Sequence, residues 1–532
     1  MSVLFQLKVI FILGIIVILS ACTEQQEPDP GFIRTSGTQF IDSGGRQMIF
    51  NGVNVICKDP RKKYTDQFSP DEFRQLASWG FNVVRLGVIW SGLEPNPGEY
   101  NEKYLTQIDQ LIEWAVEAGL YVLVDMHQDL FGQKFSDGAP DWATLDQDLP
   151  HHTGAIWSDS YLISPAIQAA FDNFWANSQA PDGVGVQDRY IAMWKMLALR
   201  YHDNPGIVGY DLMNEPFMGT AANKIMPLMI QAYAHETMDM EKAWQEGTLE
   251  QDMMNLASRW ADESGRLDIL RTLENPELYA RVIEPAGPIC QSFEEIELKL
   301  FYQKLRDTIR EVDNNHILFL EHNYFANTGI GSNIKLPLDE DGNPDPLLAY
   351  AAHAYDLVTD TKEVGSPANS RVQFIFNRIH ETSVKLDIPL FIGEWGAYGG
   401  NHPVYRETAS YIMRLIEEMK CSHSYWNYSG TNFNVMSYFP VLSRVYPMAV
   451  AGDLKSYAYN NEDGGFLIEL ETDGKEKYVS KIFIPDLSLI NIDSLKLNSD
   501  TDYEIEPLNN GKGGYLLIMP GKLATKLKIQ YY

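Results

Sequence analysis

Cysteine is nearly missing from this chain, with four in 532 residues, and that excludes a disulfide-stapled scaffold. Cys57, Cys290 and Cys421 stand at irregular spacings that suit neither a bridge framework nor a zinc site, so buried thiols are expected. Basic side chains are also in deficit: 42 Lys and Arg against 72 Asp and Glu leave a net charge of −30. Such a surface repels a polyanion and no basic run offers a local exception, so nucleic acid is excluded as a partner. There is no nucleophile elbow and no phosphate-binding glycine loop, which leaves serine hydrolysis and nucleotide chemistry without support. Internal repeats and low-complexity tracts are absent too. The adjacent His151 and His152 lack metal-ligand spacing and read as loop residues.

What is present begins at the N terminus. Lys8 is the only charge before the apolar run Val9–Leu19, and Leu19-Ser20-Ala21-Cys22 follows. The run is too short to span a bilayer comfortably and ends in small residues, so residues 1–21 are expected to be a secretory signal peptide. The ending resembles a bacterial lipobox, which implies cleavage before Cys22 and acylation of its thiol. Residues 22–31, polar, acidic and proline-containing, then read as a tether. The protein is expected in a bacterial cell envelope, periplasmic or at the cell surface, held to a membrane by its lipid.

From residue 32 to 447, β-like runs alternate with helical patterns. The strand candidates are Ile49–Val55, Asn82–Gly87, Tyr121–Met126, Val208–Met213, Ile317–Glu321, Ala349–Ala354, Leu390–Gly393 and Ser424–Asn427. Most are nearly continuous in hydrophobicity, as strands buried on both faces are. Leu105, Ile108, Leu111, Ile112 and Ala115 form a helical stripe that Gly119 ends, and Ile191 to Tyr201 form another. Eight strands interleaved with helices predict an α/β fold, a (β/α)8 barrel. A helical, methionine-rich insertion at about residues 219–293 follows the fourth strand, and packing onto the barrel is its plainest role. Residues 448–532 switch to short strands between Gly, Asn and Asp turns, among them Leu487–Ile490, and predict a C-terminal antiparallel β-sandwich.

Barrel function sits at the strand ends. Glu215, in Asn214-Glu215-Pro216, ends the fourth strand, and Glu394, in Glu394-Trp395-Gly396, ends the seventh. Each follows an apolar run that would bury it, and an unpartnered buried charge costs several kcal/mol, so such acids rarely arise by accident. Two carboxyls astride one bond are what glycoside hydrolysis requires. Arg85 in an apolar strand likewise needs a carboxylate partner.

These motifs, with Arg85, His127, His353-Ala354-Tyr355 and Trp426, resemble glycoside hydrolase family five in chain order. The resemblance implies Glu215 as acid/base and Glu394 as nucleophile in a retaining β-glycosidase, with Arg85 holding the nucleophile ionised. It implies Asn214 on the sugar 2-hydroxyl, His127, His353 and Tyr355 lining the sugar subsite, and Trp426 as its floor. Asp125-Met126-His127-Gln128-Asp129, Gly138-Ala139-Pro140-Asp141-Trp142 and Tyr446–Gly452 are similar to segments of endoglycoceramidases. By that similarity Lys58 and Asp129 bind sugar hydroxyls, and the substrate is a glycosphingolipid cleaved between glycan and ceramide. The alternatives are a β-glucosidase on glucosylceramide or other apolar aglycones, an endo-β-glucanase, and a glycan-binding surface lipoprotein without activity. The chemistry rests on carboxylates, so no metal or cofactor is expected, and the protein is expected to be a monomer.

Overall fold

The computed structural model describes residues 31–65, 68–430, 432–460, 464–471, 475–491, 501–509, 511–521 and 526–531. The expected signal peptide, Cys22 and nearly all of the tether lie outside the described residues. Eight parallel strands close a barrel: β1 Asn51–Val55, β2 Val83–Ile89, β3 Tyr121–His127, β4 Ile207–Asp211, β5 Ile317–Glu321, β6 Leu348–His353, β7 Leu390–Glu394 and β8 Ser422–Tyr425. Nearly every residue in them is buried, which is why their sequences lack the alternation of a half-exposed sheet.

Helices cover the barrel where their stripes require it. Glu102–Glu117 starts at Asn101, whose side chain accepts the N–H of Tyr104, and buries Leu105, Ile108, Leu111, Ile112 and Ala115. Gly119, at φ +84°, takes the left-handed turn that ends it. Burying a side chain such as Leu or Ile stabilises the fold by about 1.5–3 kcal/mol. Cys57, Cys290 and Cys421 are buried and form no disulfide among the described residues.

The insertion after β4 is helical, from Ile225–Thr237 through Leu249–Ala261 to Gly287–Phe293. Glu294, fully buried just beyond it, accepts from the N–H and side chain of Asn323, the Ser332 hydroxyl and the Asn333 N–H. That clamp ties the end of the insertion to the segment following β5. No described helix is long and apolar enough to cross a membrane.

Two antiparallel sheets accompany the barrel, and here the expected outline changes. One sheet runs, in order, Arg34–Ser36, Gln39–Ile41, Gln47–Met48, Tyr446–Val450, Ser480–Ile484, Gly514–Ile518 and Tyr503–Pro507. Its first three strands precede the barrel in sequence, and Tyr446–Val450 runs across the expected 447/448 boundary. Asp453–Tyr459, Gly465–Glu471, Lys526–Tyr531 and Ile490–Asn491 form the second sheet. Leu487–Leu489, expected as strand, is instead a 3-10 turn, because the Asp486 carboxylate accepts the Ser488 N–H. Ile33, Phe40 and Met48 pack with Phe50, Phe319 and Phe391 at the N-terminal ends of the barrel strands. The opposite, C-terminal end is left for chemistry.

Candidate active site

The last residues of the strands converge on one guanidinium. Arg85 of β2 is fully buried. Its Nε donates to Asp211 at 2.8 Å and its Nη1 to Glu394 at 2.9 Å. Its Nη2 donates to Asn214 and Glu321, both at 2.9 Å, and stands 2.9 Å from Asp125. Four carboxylates from four strands thus share one cation, with Glu215 close by. Burial pushes Asp125 and Asp211 up to about 6, with the Arg85 charge opposing it. Burial likewise raises Glu321 to about 8 and Glu394 to about 7, against the pull of His353 and Arg85.

Glu215 is held by its backbone as well as its side chain. It sits at φ +46° immediately before Pro216, a left-handed conformation that a non-glycine residue adopts only when its surroundings impose it. The restraint is visible: the Glu215 N–H donates to Glu321 at 2.7 Å. Its carboxylate accepts from the Asn327 amide at 2.7 Å and meets His353 Nδ1 at 2.9 Å. Across the site Glu394 accepts from Arg85 and from the Tyr355 hydroxyl at 2.9 Å. Burial and the adjacent Glu394 hold the Tyr355 hydroxyl well above its ordinary range, so it stays a donor. Oxygens of Glu215 and Glu394 and a nitrogen of His353 all lie within 4.8 Å of one another. That spacing matches direct attack by one carboxylate, not the wider gap that admits a water.

A second polar group lies beside the pair. The Lys58 ammonium is paired with Asp129, stands 3.9 Å from Asp137 and lies 4.5 Å above the Trp426 ring. Trp426 stacks on His127 with centroids 5.3 Å apart. His127 Nδ1 is 2.8 Å from Asp125, which leaves its Nε2 buried without a partner. Burial and the Lys58 charge keep His127 neutral, well below its usual pKa. In both groups the chain's own cations, Lys58 and Arg85, already stand among the carboxylates, so neither is a vacant donor set.

One cleft of about 530 Å³ opens over these residues. Lys58, Asp129, Glu215, Tyr355, Glu394 and Trp426 line it, together with the apolar Met226, Met229, Trp260, Phe325, Ile330 and Leu357. A narrower, almost wholly apolar chamber continues from there between insertion helices, past Ile230, Leu256, Ile269 and Val282. Arg85, His127, Asn214 and His353 lie behind this surface, all 1% exposed or less. Asn214 is engaged at both ends of its amide, by Arg85 and by the Gln128 carbonyl. His151 does reach the cleft, from an irregular loop.

Sequence reasoning missed Asp125, Asp211, Glu321, Asp137 and Asn327. The first three are charges inside apolar strands, the same signal that marked Arg85. The two others come from loops and carry no such signal.

The model of the cellulase family (glycosyl hydrolase family 5) matches residues 41–246 and 284–432. The chain belongs to glycosyl hydrolase family 5. The unmatched stretch between those segments falls within the helical insertion, so the apolar chamber is built partly by residues that the family model does not cover. Among relatives in the family, an endoglycoceramidase of Hydra vulgaris is 33% identical over 234 residues, 38% of this chain and 44% of that protein. The match therefore spans less than half the length of that relative. Endoglycoceramidase I of Rhodococcus hoagii is 22% identical over 88% of this chain and 83% of its own length. The barrel and its sheets superpose on endo-glycoceramidase II from Rhodococcus sp., solved as a ganglioside GM3 complex. That match has a TM-score of 0.67 at 22% identity and covers 93% of this chain and all of the other.

Proposed function

We propose that the chain is a retaining β-glycosidase that releases the glycan of a glycosphingolipid from its ceramide. The observation that carries this is a single cleft lined both by the carboxylate pair and by Met226, Met229 and Trp260, which also line the apolar chamber between the insertion helices. Glu394, oriented by Arg85 and Tyr355, attacks the anomeric carbon from below the sugar. Glu215 protonates the departing oxygen, and then removes a proton from the water that hydrolyses the glycosyl-enzyme. Lys58 and Asp129 hold sugar hydroxyls over Trp426, while the aglycone extends along Met226, Met229 and Trp260. An endo-β-glucanase has no use for the almost wholly apolar chamber that shares Met226, Met229 and Trp260 with the cleft. The names of the relatives, endoglycoceramidases among them, agree with the lipid reading. We carry forward with it the signal peptide, acylation at Cys22 and a place in the cell envelope, and a monomeric state.

Product analysis tests the proposal. A soluble form started after Cys22 is incubated with glucosylceramide, lactosylceramide and a ganglioside. Intact oligosaccharide and ceramide are expected. Glucose from glucosylceramide alone would replace the endo reading with a ceramide glucosidase, and turnover restricted to aryl glucosides would remove ceramide from the proposal.

The elevated Glu394 pKa has a consequence for that enzyme. An attacking carboxylate must be ionised, and this one is lost as pH falls through about 7. The acid limb of kcat/KM on an aryl glucoside is therefore expected well above the pKa of about 4.3 for a free glutamate. A limb centred near that ordinary value would contradict the assignment.

A further inference from the structure

Behind the pair lies a histidine with a carboxylate at each ring nitrogen. His353, fully buried on β6, has Nδ1 2.9 Å from Glu215, and its Nε2 lies 3.1 Å from Glu321 in an ion-pair contact rather than a hydrogen bond. With both carboxyls ionised, both contacts are favourable together only when both nitrogens carry protons. Glu321 does a second thing: its other oxygen accepts the Glu215 N–H. The same carboxylate therefore fixes the backbone of Glu215 and faces the ring that meets its side chain. The ring packs tightly on Gly393 of β7, where a Cβ would stand 3.0 Å from His353 Nε2.

We propose that Glu321 and His353 are positioning residues forming a proton relay behind Glu215, with His353 Nδ1 holding the proton that Glu215 delivers to the leaving oxygen. The inference rests on the glycosidase reading above, though not on its choice of aglycone. In the resting site the imidazolium faces an ionised Glu215. The proton moves from Nδ1 to Glu215 and on to the glycosidic oxygen as the bond to the anomeric carbon breaks. In the second half-reaction Glu215 takes a proton from the attacking water and Nδ1 recovers it, so each turnover returns the site to its starting charge. Glu321 faces Nε2 throughout and, when ionised, stabilises the imidazolium, as the aspartate does in a Ser-His-Asp triad.

Charge counting supports a held proton. Asp125, Asp211, Glu215, Glu321 and Glu394 are five buried carboxyls around one guanidinium, and a buried excess of negative charge retains protons. Glu394 is the third carboxylate on His353, at 3.6 Å from Nδ1. Burial alone would lower His353, yet Glu321, Glu394 and Glu215 hold it well above its ordinary value.

The test compares two leaving groups in Glu321→Gln, a substitution that still accepts the Glu215 N–H but carries no charge. Octyl β-glucoside needs a proton on its departing oxygen, whereas dinitrophenyl β-glucoside does not. The ratio of kcat/KM for octyl over dinitrophenyl glucoside is expected to fall on the order of 10²-fold. The alkaline limb for the octyl substrate is expected to shift to lower pH, because the imidazolium has lost its counter-charge. Equal losses on both substrates, or an unmoved limb, would overturn the relay and leave Glu321 a structural group. If that variant does not fold, Glu321→Asp keeps the charge at shorter reach, and the same selectivity loss is expected in smaller measure; equal losses there overturn the relay too. Wild-type protein inactive on both glucosides and on the three glycolipids would overturn the glycosidase reading itself, an outcome distinct from the others.

Discussion

Glu394→Gln is expected to lower kcat on any β-glycoside on the order of 10⁵–10⁶-fold, the scale on which losing a nucleophile acts. Glu215→Gln is expected to behave differently. It should lose on the order of 10²–10⁴-fold on alkyl and lipid glycosides but far less on a dinitrophenyl glycoside, whose leaving group departs without a proton. The structure supplies the reason for the asymmetry. Glu394 receives Arg85 and Tyr355, donors that orient a carboxylate for attack. Glu215 receives Asn327 and faces His353, the groups that place and charge an acid. Azide makes the contrast chemical. With the Glu215 variant and an activated substrate, azide should intercept the glycosyl-enzyme and give the β-glycosyl azide. With Glu394→Ala it should enter from the vacated face and give the α-product. Reversed stereochemistry would exchange the two roles, and full activity in either glutamine variant would remove that residue from the reaction.

Arg85→Met is expected to carry the largest cost in stability, about 3–5 kcal/mol, the range seen when one partner of a buried ion pair is removed. Four carboxylates lose their only shared cation, and the methionine cannot donate to any of them. The sign of the pH dependence follows from the raised carboxyls. A group whose folded pKa exceeds its unfolded value favours the folded state fully below the unfolded pKa. That contribution is lost as pH rises through the folded one. Asp125 and Asp211 at about 6, Glu394 at about 7 and Glu321 at about 8 span that window in the wild-type protein. Without Arg85 the four rise further, so the variant should regain stability as pH is lowered from about 8 to about 5. Denaturant midpoints of both proteins at the two pH values check this. A deficit that is the same at both would mean that the cluster is not charged as described.

The barrel was legible in the sequence because its strands are buried on both faces and so read as continuous apolar runs. Glu215 and Glu394 were legible for the converse reason, as charges where such runs end. The same logic applied evenly would have exposed Asp125, Asp211 and Glu321, which sit inside Tyr121–His127, Ile207–Asp211 and Ile317–Glu321. What no pattern could show was Arg34–Ser36, Gln39–Ile41 and Gln47–Met48. At two or three residues each they are too short for a period; they pair with one another, and only Gln47–Met48 meets Tyr446–Val450 far along the chain. Nor could it show that His127 and His353 lie beneath the cleft wall. Depth at a strand end depends on register and on the neighbouring strand, and those are tertiary facts.

That late pairing also sets a schedule for biosynthesis. Met48 meets Ala449, so a strand made before the barrel waits for about four hundred more residues before its outer edge is covered. Closing so long a loop costs little more in entropy than closing a shorter one, because the penalty grows only with the logarithm of length. The cost is in time. Every nascent chain holding a finished barrel still carries an open strand edge beneath it, and open edges recruit other strands. Whatever the folded enzyme's stability, its yield in the cell then depends on how soon Tyr446–Val450 follows the barrel off the ribosome.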